Sequence, residues 1–261
     1  MTPVPTPTLV IPARFSGPPG SGNGGWVAGA LAAHVPGALA GRAVAVRLSA
    51  PPPLETVLDV VPLDGADPGS GVRLLHGEVV AATAAPADLP PAGFPDPDDA
   101  PDTFVPVDVA RAAAAGYPGP GEHPFPTCFT CSPDHPTGLR LTPARPAGGA
   151  PGTTATPWLP DASSDAGDGR TDLATVWAAL DCPGIWTLDL AGRVFLLGTM
   201  TAAVARRPGV GEQCVVAGTV RAERARTTLT TTTLFTADGE PLARTAQVWV
   251  EVDPARIAPA G

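Results

Sequence analysis

The side chains best suited to chemistry lie in three short stretches and on one strand. His123, Cys128, Cys131 and His135 put two imidazoles and two thiols within thirteen residues, the donor types zinc prefers. Zinc ribbons and fingers space their pairs further apart, and Pro124, Pro126, Pro133 and Pro136 stiffen this segment. A C-x-x-C with no second pair is a weak signal, so no metal is expected. Gly20-Ser21-Gly22-Asn23-Gly24-Gly25 satisfies G-x-G-x-x-G. A dinucleotide site also needs a buried strand before it and an acid about 20 residues on. Pro18-Pro19 precede it and Arg47-Leu48-Ser49 stands where the acid belongs, so no cofactor is expected. Asp181 and Cys182 come just before Pro183-Gly184. The carboxylate is a candidate base or a local cap for the helix break, and the thiol, with no His near it in sequence, reads as inert packing. Gln247 shares one strand face with Thr245, Trp249 and Glu251, while Leu242, Ala246, Val248, Val250 and Val252 are apolar on the other. That leaves Gln247 either a special polar position or a plain exposed strand residue.

Composition removes several mechanisms. All sixteen basic residues are Arg, which excludes the lysine of a P-loop NTPase, a protein kinase, a PLP Schiff base or an S-x-x-K hydrolase. A formal charge of -9 argues against a nucleic-acid partner. Met1–Pro12 has four prolines and no early positive charge, unlike a secretory signal. No apolar run reaches the roughly 18–20 residues of a membrane helix. Four cysteines in 261 residues do not form a secreted disulfide framework, so a cytoplasmic protein without a membrane partner is expected.

The elements that must position these residues come in two similar sets. Gly77-Glu78-Val79-Val80-Ala81-Ala82-Thr83-Ala84 and Gly239-Glu240-Pro241-Leu242-Ala243-Arg244-Thr245-Ala246 share G-E-x-apolar-A-x-T-A, 162 residues apart. In the first half, the apolar Gly24–Val35 predicts a buried helix, followed by strands at Ala43–Ser49, Glu55–Pro62, Val72–His76 and Val79–Ala84. In the second, Asp172 could cap a helix running to about Leu190, with Pro183-Gly184 kinking it. Strands follow at Val194–Ala205, Gln213–Glu223, Arg226–Phe235 and Pro241–Val252, the last two joined by the hairpin-favouring Asp238-Gly239. Between the halves, the Pro-, Asp- and Ala-rich stretch predicts a linker with at most one short helix near Val107–Ala115. One buried helix wrapped by an antiparallel sheet, made twice, gives an α+β double hotdog. Its parts are an N-terminal unit at 1–85, a linker at 86–126 and a C-terminal unit at 127–261.

Cys128-Phe129-Thr130-Cys131-Ser132-Pro133-Asp134-His135-Pro136-Thr137-Gly138-Leu139-Arg140-Leu141 resembles the C-F-x-C-G-P-D-N-P-x-G-L-R-L segment of hotdog proteins related to the PaaI-like thioesterases. Ser132 and His135 depart from that pattern. Asn23-Gly24-Gly25-Trp26-Val27 resembles the N/H-G-G-Y/W turn that opens the hotdog helix. Trp177-Ala178-Ala179-Leu180-Asp181-Cys182-Pro183-Gly184 is similar to the second-half helix of double-hotdog acyl-CoA thioesterases, and Gln247 matches a final-strand Gln of their site.

The resemblance implies thioester hydrolysis, in which Asp181 orients or deprotonates a water and Gln247 assists it. Asn23, Gly24 and Gly25 would bind the substrate carbonyl on the oxyanion side. The family's Thr could be Thr199 or Thr201. Arg206, Arg207 and Arg224 are candidate phosphate contacts for coenzyme A. Gly24 to Pro36 lacks the acid that follows this turn in single hotdogs, so the first half lacks a site of its own. Trp186 replaces the His that hydratases of this fold place five residues after their Asp, which disfavours that reaction. The expected substrate is an acyl-CoA or another thioester. The alternatives are a non-catalytic acyl or coenzyme A binder that has lost the site, and a structural partner in an assembly, with a homodimer left open.

Overall fold

The computed structural model describes residues 6–63, 69–91, 94 and 102–257. In the first half, β1 (Thr8–Val10) precedes α1 (Gly24–Ala32), which is followed by β2 (Val44–Leu48), β3 (Val57–Pro62), β4 (Val72–His76) and β5 (Val79–Pro86). Two short helices, α2 (Val107–Ala113) and α3 (Gly119–Glu122), lie in the connection. The second half repeats the plan with β6 (Thr153–Trp158), α4 (Leu173–Ile185), β7 (Val194–Val204), β8 (Cys214–Arg224), β9 (Thr227–Thr236) and β10 (Pro241–Val252).

Among the described residues, ten strands form one sheet in the order β1-β3-β4-β5-β2-β7-β10-β9-β8-β6, and the pairings are antiparallel. Read outward from its middle, each side has the same sequence of strands: the first after the helix, then the fourth, third and second, then the strand that precedes the helix. The sides join where β2 pairs with β7, from Val44 opposite Ala202 to Arg47 opposite Thr199. The repeated G-E motif opens the corresponding strands β5 and β10. Its first copy makes a two-residue hairpin with Gly77 at φ +58°, a left-handed turn suited to glycine.

Two strands are absent from the sequence expectation, β1 and β6, and both are sheet edges. Pro157 within β6 is tolerated there because an edge residue can leave its missing N–H unpaired. The helices are shorter than expected, ending at Ala32 and Ile185. Asp172 does cap α4, accepting the Thr175 N–H at 2.8 Å. Pro183 lies inside the helix rather than ending it.

Side chains from outside α4 bond three of its carbonyls on either side of the one that Pro183 leaves without a helical donor. Thr130 donates to Ala178 O, Thr232 to Leu180 O and Thr154 to Pro183 O. The helix is therefore buried along its whole length without orphaned polar groups at these carbonyls.

Helices α1 and α4 pack against each other through glycine. A Cβ on Gly25 would sit 2.5 Å from Asp181 Cβ, and one on Gly29 would sit 2.7 Å from Ala174 Cα. Trp177, Phe129, Leu31, Leu180 and Met200 fill the core around this crossing.

Residues 92–93 and 95–101 of the expected linker lie outside the described residues. The part from Asp102 onward packs on the second half instead of spanning free. The buried Asp102 carboxylate accepts from the Thr231 and Thr233 hydroxyls and pairs with Arg221 at 3.2 Å. Phe104 meets Phe235 edge-on at 5.5 Å. Among the described residues, no helix is long and apolar enough to cross a membrane.

Candidate functional site

Asp181 occupies the penultimate turn of α4, facing the start of α1. Its Oδ2 accepts the Gly25 N–H at 2.9 Å and the Asn23 side-chain amide at 3.2 Å. Its Oδ1 is buried and has no hydrogen-bond partner among the described residues. Burial raises this carboxyl to about 7; the Cys128 sulfur adds to the rise, and the bonds from Gly25 and Asn23 oppose it. The sequence alternatives for Asp181 are thereby narrowed: it caps no break in its own helix, because its ligands come from the other half.

The turn before α1 is built to meet it. Asn23 caps the helix by accepting the Trp26 N–H at 2.9 Å, which leaves its amide N–H group for Asp181 and for Cys128 Sγ at 3.7 Å. Gly25 has no room for a side chain and its N–H is engaged by the carboxylate. Of the three expected oxyanion-side residues, Gly24 has the N–H with no preceding helical carbonyl to bond, and it lines the cavity described next.

That cavity, about 510 Å³, lies where the two halves meet. This is the size range of small-molecule sites. Asp181, Asn23 and Gly24 line it together with Leu197, Trp249 and Ile185, giving a mostly apolar wall with one carboxylate.

Gln247 is fully buried, so the exposed-strand reading is wrong. It also does not reach the cavity. Its amide N–H group donates to Leu180 O at 2.7 Å and Asp181 O at 3.2 Å, while its Oε1 accepts from the Thr230 hydroxyl at 2.7 Å. The polar face of β10 is the face that meets α4, the reverse of simple apolar-inward patterning, because α4 offers carbonyls there. Gly184 makes the space, since a Cβ there would fall 1.8 Å from Gln247 Oε1. Gln247 therefore positions the backbone that carries Asp181.

Other expected residues lie elsewhere. Neither Thr199 nor Thr201 lines the cavity, and Thr201 is buried in the strand joining the two sides. Arg206 is paired with Glu212 at 2.8 Å and Arg207 with Asp168, and both line a separate, smaller pocket. Arg224 ends β8 and is not a cavity residue. Arg206 and Arg207 are committed to ion pairs, which strand-end position alone does not reveal.

The His and Cys set also changes membership. His123, Cys128 and Cys131 come together, whereas His135 turns away and accepts the Thr137 N–H at 3.2 Å. Cys182 lies beside this trio rather than within it, with Sγ 3.6 Å from Cys128 Sγ. The sequence reading missed this because 54 residues separate the two thiols.

No protein-family profile and no curated protein matches this chain. Solved structures do. A protein of unknown function with a hot dog fold from Alicyclobacillus acidocaldarius aligns at TM-score 0.58 and 15% identity, covering 95% of this chain and 93% of that one. The fold is a double hotdog.

Two further solved structures match over a similar extent. The tesB protein of Mycobacterium avium subs paratuberculosis gives TM-score 0.59 at 11% identity over 94% of this chain and 92% of that one. A Novosphingobium aromaticivorans DSM 12444 protein whose name proposes a thioesterase gives 0.57 at 14% over 93% and 94%. In this double hotdog the paired halves place the Asp of one helix against the opening turn of the other.

Proposed function

We propose that this double hotdog hydrolyses an acyl thioester at the cavity between its halves. The observation that carries the reading is Asp181, a cavity-lining residue whose buried carboxylate leaves Oδ1 without a hydrogen-bond partner, so a small side-chain movement is needed to bring that oxygen to a water in the cavity. Oδ2 is held by Gly25 and Asn23, so the free oxygen has a restricted range of directions. A water held by Oδ1 gives up a proton as its oxygen adds to the thioester carbonyl carbon. The Gly24 N–H, free of a helical carbonyl at the helix start, is the donor assigned here to the negative charge that develops on the carbonyl oxygen. Collapse of the adduct breaks the C–S bond, and the thiolate leaves with the proton to give acid and thiol.

The apolar wall suits an acyl group. Among the described residues no arginine lines the cavity, so the coenzyme portion would lie outside it and recognition would centre on the acyl thioester itself. Release of free thiol from short, medium and aromatic acyl-CoAs tests the reaction, with a protein-only blank for the native cysteines. Matching pantetheine thioesters test how much the nucleotide contributes.

One observation favours a second reading, a non-catalytic acyl binder. Gln247, the expected partner of Asp181, has its amide committed to α4 carbonyls and Thr230. Saturable binding of acyl-CoA by calorimetry with no thiol release from any substrate would select it.

A further inference from the structure

We infer that His123, Cys128 and Cys131, whose donor atoms all lie within 4.8 Å of one another, form a zinc site in the wall of the same cavity, with Cys182 beside Cys128 as the fourth ligand once its thiol swings in. Cys128 Sγ lies 3.6 Å from Cys182 Sγ and 3.7 Å from Cys131 Sγ, and His123 Nε2 lies 3.0 Å from Cys131 Sγ. A tetrahedral zinc with Zn–S bonds of about 2.3 Å sets its sulfurs about 3.8 Å apart, close to both sulfur separations, and with a Zn–N bond of about 2.0 Å it sets nitrogen and sulfur about 3.5 Å apart, so the His123–Cys131 pair opens by about half an ångström on binding. All four cysteines of the chain are free, and these three are buried.

Ordinary packing accounts poorly for the surroundings of the three sulfurs. The Trp186 indole N–H donates to Cys131 Sγ at 3.4 Å, and the Asn23 amide N–H group points to Cys128 Sγ at 3.7 Å. Such N–H donors to sulfur stabilise thiolates and recur as the outer partners of metal-bound cysteine. A disulfide would use two of the sulfurs and leave the third and the imidazole unexplained. Ligation through Nε2 places the ring proton of His123 on Nδ1, so the Phe125 N–H that now donates to Nδ1 at 2.9 Å turns aside.

The ion would tie the Thr127–Pro133 segment to α4 at the residue next to Asp181. It would thereby brace the cavity wall without itself being required for hydrolysis, and the inference stands apart from the hydrolytic reading. The sequence spacing argued against a metal because the fourth ligand, Cys182, comes 51 residues after Cys131.

The test is elemental analysis of the full chain, purified without chelator and without a polyhistidine tag. About one zinc per chain is expected. Cys128→Ser and Cys182→Ser should each lower zinc content about tenfold, and Cys214→Ser, a buried thiol outside the cluster, should retain it. If the serine variants do not fold, cobalt(II) titration of chelator-treated wild-type protein gives the same information. Intense tetrahedral bands with sulfur-to-cobalt charge transfer support the site. A zinc-free protein with only weak octahedral cobalt absorption, or with a Cys128–Cys182 disulfide after purification under reductant, would overturn it.

Discussion

Asp181 Oδ2 on one central helix accepts the Gly25 N–H at the start of the other at 2.9 Å. The carboxylate thus sits at the positive end of a helix that belongs to the opposite half of the chain. That contact exists only because both halves are in one sheet and both helices lie close together. It makes the cavity a property of the pair of halves.

Gly25→Ala tests the closeness of the helices. The new Cβ would lie 2.5 Å from Asp181 Cβ and 2.8 Å from Trp177 O, so the crossing must open. The expected cost is about 1–3 kcal/mol, the usual range for overpacking a filled core. Denaturant unfolding should show the loss, together with reduced thiol release. Unchanged stability would mean that the helices do not approach this closely.

Gln247→Leu separates positioning from direct contact with substrate. It leaves the Thr230 hydroxyl without its acceptor and takes one donor from Asp181 O and one from Leu180 O, which keeps Thr232, at about 1–3 kcal/mol. Because the residue does not line the cavity, kcat should fall with little change in KM, and the melting temperature should fall with it. A raised KM at wild-type stability would place Gln247 against the substrate.

Arg206→Ala and Arg207→Ala should leave the KM for acyl-CoA within about twofold of wild type. Both arginines are paired with acids and line another pocket, and surface pairs of this kind contribute about 0–1 kcal/mol to stability. A KM several-fold higher in either variant would restore the sequence-based assignment to coenzyme A.

Val250→Trp should narrow the apolar cavity, which Val250 lines. The kcat/KM for medium-chain substrates should drop at least about tenfold relative to short ones, as expected when an apolar pocket loses room for several methylenes. Equal effects on all chain lengths would show that the acyl group lies elsewhere.

Much of the architecture was readable from periodicity. The strand from Val72 to His76 and the last strand, Pro241–Val252, have the expected limits, and the G-E repeat marks equivalent strands. The edge strands were not readable, because Thr153–Trp158 contains a proline and neither edge strand follows the helix-then-strands order used to find the others. Within the site, Asp181 and the Asn23 turn were legible through short motifs. The orientation of Gln247 was not, because it depends on the Leu180 and Asp181 carbonyls that α4 turns toward β10, a tertiary matter. Cys182 failed for the same reason: its neighbours His123, Cys128 and Cys131 are close only after α4 packs under their loop.

The most direct test compares wild type with Asp181→Asn for free-thiol release across the acyl-thioester panel. The substitution keeps the shape of the side chain and removes its ability to take a proton. The account predicts a loss of about 100-fold or more in turnover, the scale of a general base, with folding retained. Equal turnover in the two proteins would contradict it.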